Sequence, residues 1–289
     1  METKFHAGFV VLKKSMKTQV LFPIAFLLFG PGCHSLFGQV QPVPKGNQAV
    51  AFGISDAVLA DQLMLTVRGI GGTTLDNLKE QNLKPYMMPV RKCEFAGMER
   101  TYLLASCLEY YNNLEKNYKS NLSPEFISLN LTQNRQSLSW EEVFMFLAKE
   151  GTINAAIIPY GATYLTSAVH ATPRFRIANY LQLFREVTKP SQRVFETRKA
   201  IMRGNPVVIE FQADPSFTQA LGLRSWLPQG QDTQTYTLLV VGYDEAKQAF
   251  EAMGAWGSDW GKGGYLWIAY DLFGRQATNG FVLIPELSY

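Results

Sequence analysis

The sequence predicts an α+β protein, with helical segments in its first half and a β-rich stretch near the C-terminus. Three observations carry that prediction. Thr235–Met253 reads as two strands, because TYTLLVVGY and AFEAM are rich in β-branched and aromatic residues and the polar Asp244–Lys247 turn separates them. A loop punctuated by Gly254, Gly257, Gly261, Gly263 and Gly264 then leads to a third strand, YLWIAY; its two indoles, Trp256 and Trp260, each bury a large apolar area, so the loop packs down as a wall. Upstream, Tyr102, Leu104, Leu108 and Tyr111 recur at helical spacing after Gly97, and Ser139-Trp140-Glu141-Glu142 is a capping box that opens a helix through Lys149.

Taken in order, the chain of 289 residues begins with a segment that stands apart from this core. Lys17 supplies a positive start after Met16, Val20–Phe29 is a short apolar run, and Pro31 and Gly32 follow. A run of that length with those flanks is the pattern of a secretory signal peptide rather than of a membrane span. Residues 1–38 are therefore expected to direct export, with translation starting at Met1 or at Met16, and the mature protein is expected in the periplasm, at the cell surface or outside the cell. Cys33 faintly resembles a lipoprotein cleavage site. Gly30, however, stands three positions before it, where an aliphatic residue is required, so a lipid anchor is the weaker reading.

Removal of residues 1–38 takes four of 27 basic and one of 24 acidic residues, which leaves 23 of each. A chain with no net charge offers nothing to the phosphate backbone of a nucleic acid or to an anionic membrane surface. Cys93 and Cys107 could pair in an oxidising compartment, yet two cysteines make no disulfide framework, and no Cys or His cluster suggests a metal. No cofactor is expected.

Residues 39–82, with Pro42, Pro44, the Gly69–Gly72 cluster and a weakly amphipathic Ser55–Val67, read as an N-terminal extension that wraps the body of the protein, residues 83–289. Within that body, Pro85 and Pro89 mark extended chain, Val194–Met202 a helix, Gly204-Asn205-Pro206 a turn and Val207–Phe211 a buried strand. Trp140, Phe144 and Phe146 are expected in the core.

Two stretches resemble the papain-type (C1) cysteine peptidases, in their bacterial form. Val240, Val241, Gly242, Tyr243, Asp244, Trp256, Gly257, Trp260, Gly261, Gly264 and Tyr265 follow the family's strand and its N-S-W-G-x-x-W-G loop. Leu83, Pro85, Tyr86, Pro89, Val90, Gly97, Tyr102, Leu108, Glu109 and Tyr110 keep the register of its P-Y-x-P-P-V … G-S-C-x-A-F … L-E-Y segment. The resemblance covers about Leu83 to Leu287. It implies a two-lobed fold in which a helical lobe built around Thr101–Asn112 faces an antiparallel β-rich lobe built around Tyr236–Tyr270, with a cleft between them. The extension is too short to match the family's helical inhibitory propeptide.

That register also places the family's four chemical positions. The oxyanion Gln falls on Cys93, the nucleophilic Cys on Glu99, the His on Tyr236 and the Asn on Gly254. A thiolate at a helix N-terminus paired with an imidazolium is what such a site requires, and an oxyanion donor completes it. A carboxylate does not replace the thiolate, a phenol with a pKa near 10 is a poor base at neutral pH, and glycine orients nothing. His6 and His34 lie in the export segment, which leaves His170 as the one histidine of the mature chain. The expectation is a binding protein that holds a peptide or protein in the cleft, whose scaffold is Gly97, Trp256, Gly257, Trp260 and Gly261, or on an outer face. Glu99 is expected to be favoured by the helix dipole, and Tyr236 to pack against Trp256 and give its hydroxyl to Glu99. The alternatives are an active peptidase rewired around Cys93, with His170 as a conceivable partner, a new acid–base site of Glu99 and Tyr236, and a purely structural component of the cell envelope.

Overall fold

Thirteen of the eighteen residues in the helix Glu99–Lys116 are buried, so this element cannot be a surface helix with one apolar stripe. We describe it in a computed structural model of the chain covering residues 51–94, 97–131 and 139–286. The export segment, with Met16 and Cys33, lies outside these residues, as does the extension before residue 51. In chain order the helices are α1 (Ala57–Leu63), α2 (Leu75–Lys79), α3 (Glu99–Lys116), α4 (Pro124–Leu131), α5 (Trp140–Lys149), α6 (Pro190–Met202) and α7 (Tyr270–Gln276). The strands are β1 (Glu80–Asn82), β2 (Ile177–Phe184), β3 (Val207–Ala213), β4 (Gln234–Asp244), β5 (Ala249–Met253), β6 (Tyr265–Ala269) and β7 (Ala277–Pro285).

Burial all round α3 makes an unmet polar group on it costly, and most find partners. Glu109 accepts from Arg91 Nη2 at 2.6 Å and from the Leu122 amide at 2.9 Å. Asn112 and Asn113 bond Ser120, Tyr110 donates to the Gly204 carbonyl, and Tyr111 donates to Asn205 Oδ1. The last two tie α3 to the Gly204-Asn205-Pro206 turn. Asn117 closes the helix in the left-handed conformation.

The strands form one antiparallel sheet in the order β2-β7-β3-β4-β5-β6, with β1 added against β4. β3 and β4 pair Val207 with Val240 through to Phe211 with Tyr236, and their continuous apolar runs mark a sheet centre covered on both faces. Both sheet edges are covered by other segments: Ile54 bridges Leu181 on β2, and Ser225 bridges Trp267 on β6. Four elements depart from the sequence expectations. α6 begins at Pro190, which serves as its first turn because proline's missing N–H has no partner there anyway. Residues 270–276 turn helical, which ends the third expected strand at Ala269, and β2 and β7 are strands that the sequence pattern does not predict.

The described part of the extension has fixed partners. Val67 and Gly72 donate to the carbonyls of Arg203 and Met202, Asn205 Nδ2 donates to the Leu65 carbonyl, and Asp61 lies 3.1 Å from Lys199 Nζ and 2.9 Å from Arg203 Nη2. These contacts fix residues 54–82 on β2, β4 and α6, away from the residues of the cleft. Phe144 and Phe281 are buried in the core, as expected of Phe144, while Trp140 and Phe146, also expected there, are partly buried and pack against it.

Candidate functional site

Glu99 is the first residue of α3, and no side chain caps that end of the helix, so its carboxylate lies at the positive end of the helix dipole. The chain reaches this point through Gly97, whose φ is +85°. On the opposing lobe Tyr236 stands at the start of β4, half-buried, with its ring 5.7 Å from Trp256 and 5.3 Å from Phe217. The packing against Trp256 is as expected, but the hydroxyl is not directed as expected. Tyr236 donates to Gln234 Oε1 at 2.5 Å rather than to Glu99. Both residues lie on β4 two positions apart and share a face of the strand, so the local partner wins over one across the cleft. Burial pushes the phenol pKa up, and the charges of Asp214 and Glu99 push it the same way.

Gly254 follows β5 where the two indoles converge. A Cβ there would lie 2.6 Å from Trp256 Cε3 and 2.8 Å from Trp260 Cε3, closer than carbon atoms approach. Trp260 is fully buried and its Nε1 donates to the Phe217 carbonyl at 2.8 Å, which pins that ring. Phe217, Tyr236, Trp256 and Trp260 thus form one aromatic wall. Gly257 and Gly261 keep the loop tight, and at Gly261, with φ +58°, a side chain would strike the Tyr265 carbonyl.

Cys93 joins the two lobes. Its amide donates to the Ala255 carbonyl at 2.8 Å, beside the bridge between Lys92 and Trp256. The side chain is half-buried against the core, and no disulfide links it to Cys107, whose thiol lies inside α3 where burial pushes its pKa up. His170 is not at this site. It lines a separate pocket with Phe126, Asn130 and Arg174, to which no residue of the cleft contributes.

Sequence reasoning missed two charged groups of the helical lobe. Arg100, mostly buried, lies with its guanidinium 4.2 Å from the Trp140 ring centroid, and desolvation lowers its pKa while Glu210 opposes that shift. Glu125 on α4 accepts from the Tyr102 hydroxyl and from the Gly161 amide deep in the helical lobe. Among the described residues no group of three His, Cys, Asp or Glu side chains is placed to hold a metal ion, and no helix is long and apolar enough to cross a membrane.

Residues 132–279, just over half of the chain, match the family profile described as papain family cysteine protease. Solved structures share the architecture. Xylellain, a cysteine protease from Xylella fastidiosa, aligns with a TM-score of 0.56 at 18% identity, covering 75% of this chain and 92% of its own. The bromelain protease from Ananas comosus, solved in complex with the E64 inhibitor, aligns at 0.58 and 18% identity over 73% of this chain and 99% of its own. A digestive procathepsin L 3 from the Tenebrio molitor larval midgut aligns at 0.57 and 18% over 80% and 78%. A search of the curated proteins finds no match.

Proposed function

Because the chain belongs to the papain family of cysteine proteases, its cleft is the natural seat of function, and we propose that this cleft binds a peptide or protein without cleaving it. The observation that carries the reading is at Gly254. In the register of the family motif this is the position that orients the catalytic imidazole, and here the rings of Trp256 and Trp260 fill the volume a side chain would need. The rest of the arrangement supports the same reading. Glu99 stands where the nucleophile belongs, and a carboxylate at a helix N-terminus is stabilised by the dipole rather than activated by it. Tyr236 stands where the imidazole belongs and has its proton committed to Gln234, with a pKa pushed further from neutrality.

What such a cleft keeps is a binding surface. An aromatic wall on one lobe faces a helix start on the other, and main-chain groups between them can hold an extended peptide. The protein works outside the cytoplasm in this reading, supported by the Val20–Phe29 segment, and N-terminal sequencing of the mature protein tests that part: a chain that keeps its first 38 residues in the cell refutes export.

A second reading has one observation in its favour. Cys93 is a half-exposed thiol beside the Ala255–Trp256 backbone, within the cleft. Treatment of the purified protein with an epoxide that alkylates papain-type nucleophiles, followed by intact-mass measurement and peptide mapping, separates the two. The binding reading expects no rapid adduct and no cleavage of a denatured protein. Rapid labelling confined to Cys93, with proteolysis that Cys93→Ala abolishes, would replace it with a rewired peptidase.

A further inference from the structure

His170 is left unused by the cleft, yet it is not isolated. It belongs to a surface pocket of about 320 Å³ between α4 and the single helical turn Ser167–Ala171, where the donors of residues 166–174 lie opposite Asn130 of α4. Arg174 forms one wall. Its Nη2 donates to the Val169 carbonyl at 2.9 Å and its guanidinium lies 4.5 Å from the Phe126 ring centroid, an apolar support beneath the group. Nη1 is enclosed and has no acceptor, and among the described residues no carboxylate pairs with this cation. A buried donor left unmet in this way is costly, and a guanidinium is the side chain best shaped to hold two oxygens at once. The Thr166 and Ser167 hydroxyls and the His170 imidazole line the same pocket, with Glu150 on its wall as the single acid. That carboxylate is half-exposed and lies 4.0 Å from Lys149 Nζ.

We propose that this pocket binds a phosphate group, free or carried on a small organic molecule. Donors that approach from several directions suit a tetrahedral oxyanion with four acceptors better than a planar carboxylate with two. The guanidinium supplies the fork, the imidazole and hydroxyls take the remaining oxygens, and Phe126 and Val169 form an apolar floor. A phosphate oxygen also gives the Arg174 guanidinium, by a small turn of its plane, the acceptor that Nη1 lacks. The site is independent of the cleft, so it stands or falls apart from the binding reading above.

The test is a titration of the full-length protein with inorganic phosphate, glycerol 3-phosphate and acetate, at constant ionic strength set with chloride. The observable is the ring-proton NMR signal of His170, assigned with His170→Asn. We expect saturable shifts with at least one of the two phosphates and none with acetate. Tighter binding of inorganic phosphate identifies the free ion as the ligand, and tighter binding of the ester identifies a group on an organic molecule. Arg174→Gln should weaken binding at least tenfold, Arg174→Lys should weaken it less, and Glu150→Gln should tighten it. The two arginine variants are checked for native melting behaviour, and the wild-type titration and Glu150→Gln do not depend on them. Absence of a saturable shift with either phosphate overturns the proposal. So does an equal response to acetate, or unchanged affinity in a folded Arg174→Gln protein.

Discussion

Gly254→Ala is the sharpest perturbation of the aromatic wall, because it adds one carbon and nothing else. That carbon would sit 2.6 Å from Trp256 Cε3, 2.8 Å from Trp256 Cζ3 and 2.8 Å from Trp260 Cε3. Ordinary carbon contacts lie near 3.5–4.0 Å, so about 1 Å of displacement is required of at least one ring. Trp260 cannot supply it cheaply: it is fully buried, hydrogen-bonded to the Phe217 carbonyl, and packed on Phe217 with centroids 5.4 Å apart. Trp256 is half-buried and would move first, breaking its edge contact with Tyr236. Overpacking of this kind costs about 1–3 kcal/mol, and loss of an aromatic pair adds about 0.5–1.5 kcal/mol. The expected sum of about 2–3 kcal/mol lowers the melting temperature by about 4–10 °C for a domain of this size. Denaturant titration read by tryptophan fluorescence measures it directly. Gly254→Asn should cost at least as much and should confer no peptidase activity. A Gly254→Ala protein within about 0.5 kcal/mol of wild type would show that the indoles retreat freely, and the inference that this volume is committed to them would fail.

Other perturbations probe the supports of the site. Arg91→Met leaves Glu109, 1% exposed, without its cation, and breaking one partner out of a buried pair costs about 3–5 kcal/mol in equilibrium unfolding; a loss below about 1 kcal/mol would mean that Glu109 is neutral in the fold. Asn205→Ala removes the partner of both the Tyr111 hydroxyl and the Leu65 carbonyl, and each unmet buried group costs about 1–3 kcal/mol, seen as a lower denaturation midpoint with unchanged slope. Asp61 is held below the usual carboxylate range by Lys199 first and then Arg203. Its folded pKa is therefore depressed, so its contribution is complete above the unfolded value of about 3.9 and is lost as pH falls through the folded one. A melting-temperature gap between wild type and Asp61→Asn should be open near neutral pH and close in acid; a gap that widens in acid would contradict this sign. Ser139→Ala removes the cap of α5 and should cost about 1 kcal/mol by the same measurement.

Local chemistry made much of this protein legible in its sequence. The capping box at Ser139 placed the start of α5 to the residue, since a cap satisfies backbone donors only its own chain neighbours supply. The β-branched run at Val240 and Val241 and the turn at Asp244 located the paired strands β4 and β5 for the same reason. The strands β2 and β7 were not legible: their alternation is broken by bulges, and they hold their place through long-range pairing with each other and with β3. At the site, sequence register alone identified Cys93, Glu99, Tyr236, Gly254, Trp256 and Trp260 as neighbours. Which atoms meet was beyond it, because a hydroxyl chooses among acceptors by distances that only the folded backbone sets. Tyr236 takes Gln234 over Glu99 on that basis. The filling of the space beside Gly254 by two indoles was likewise decided by the fold of its loop, and the pocket around His170 and Arg174 by the packing of residues 165–174 against Phe126 and Asn130.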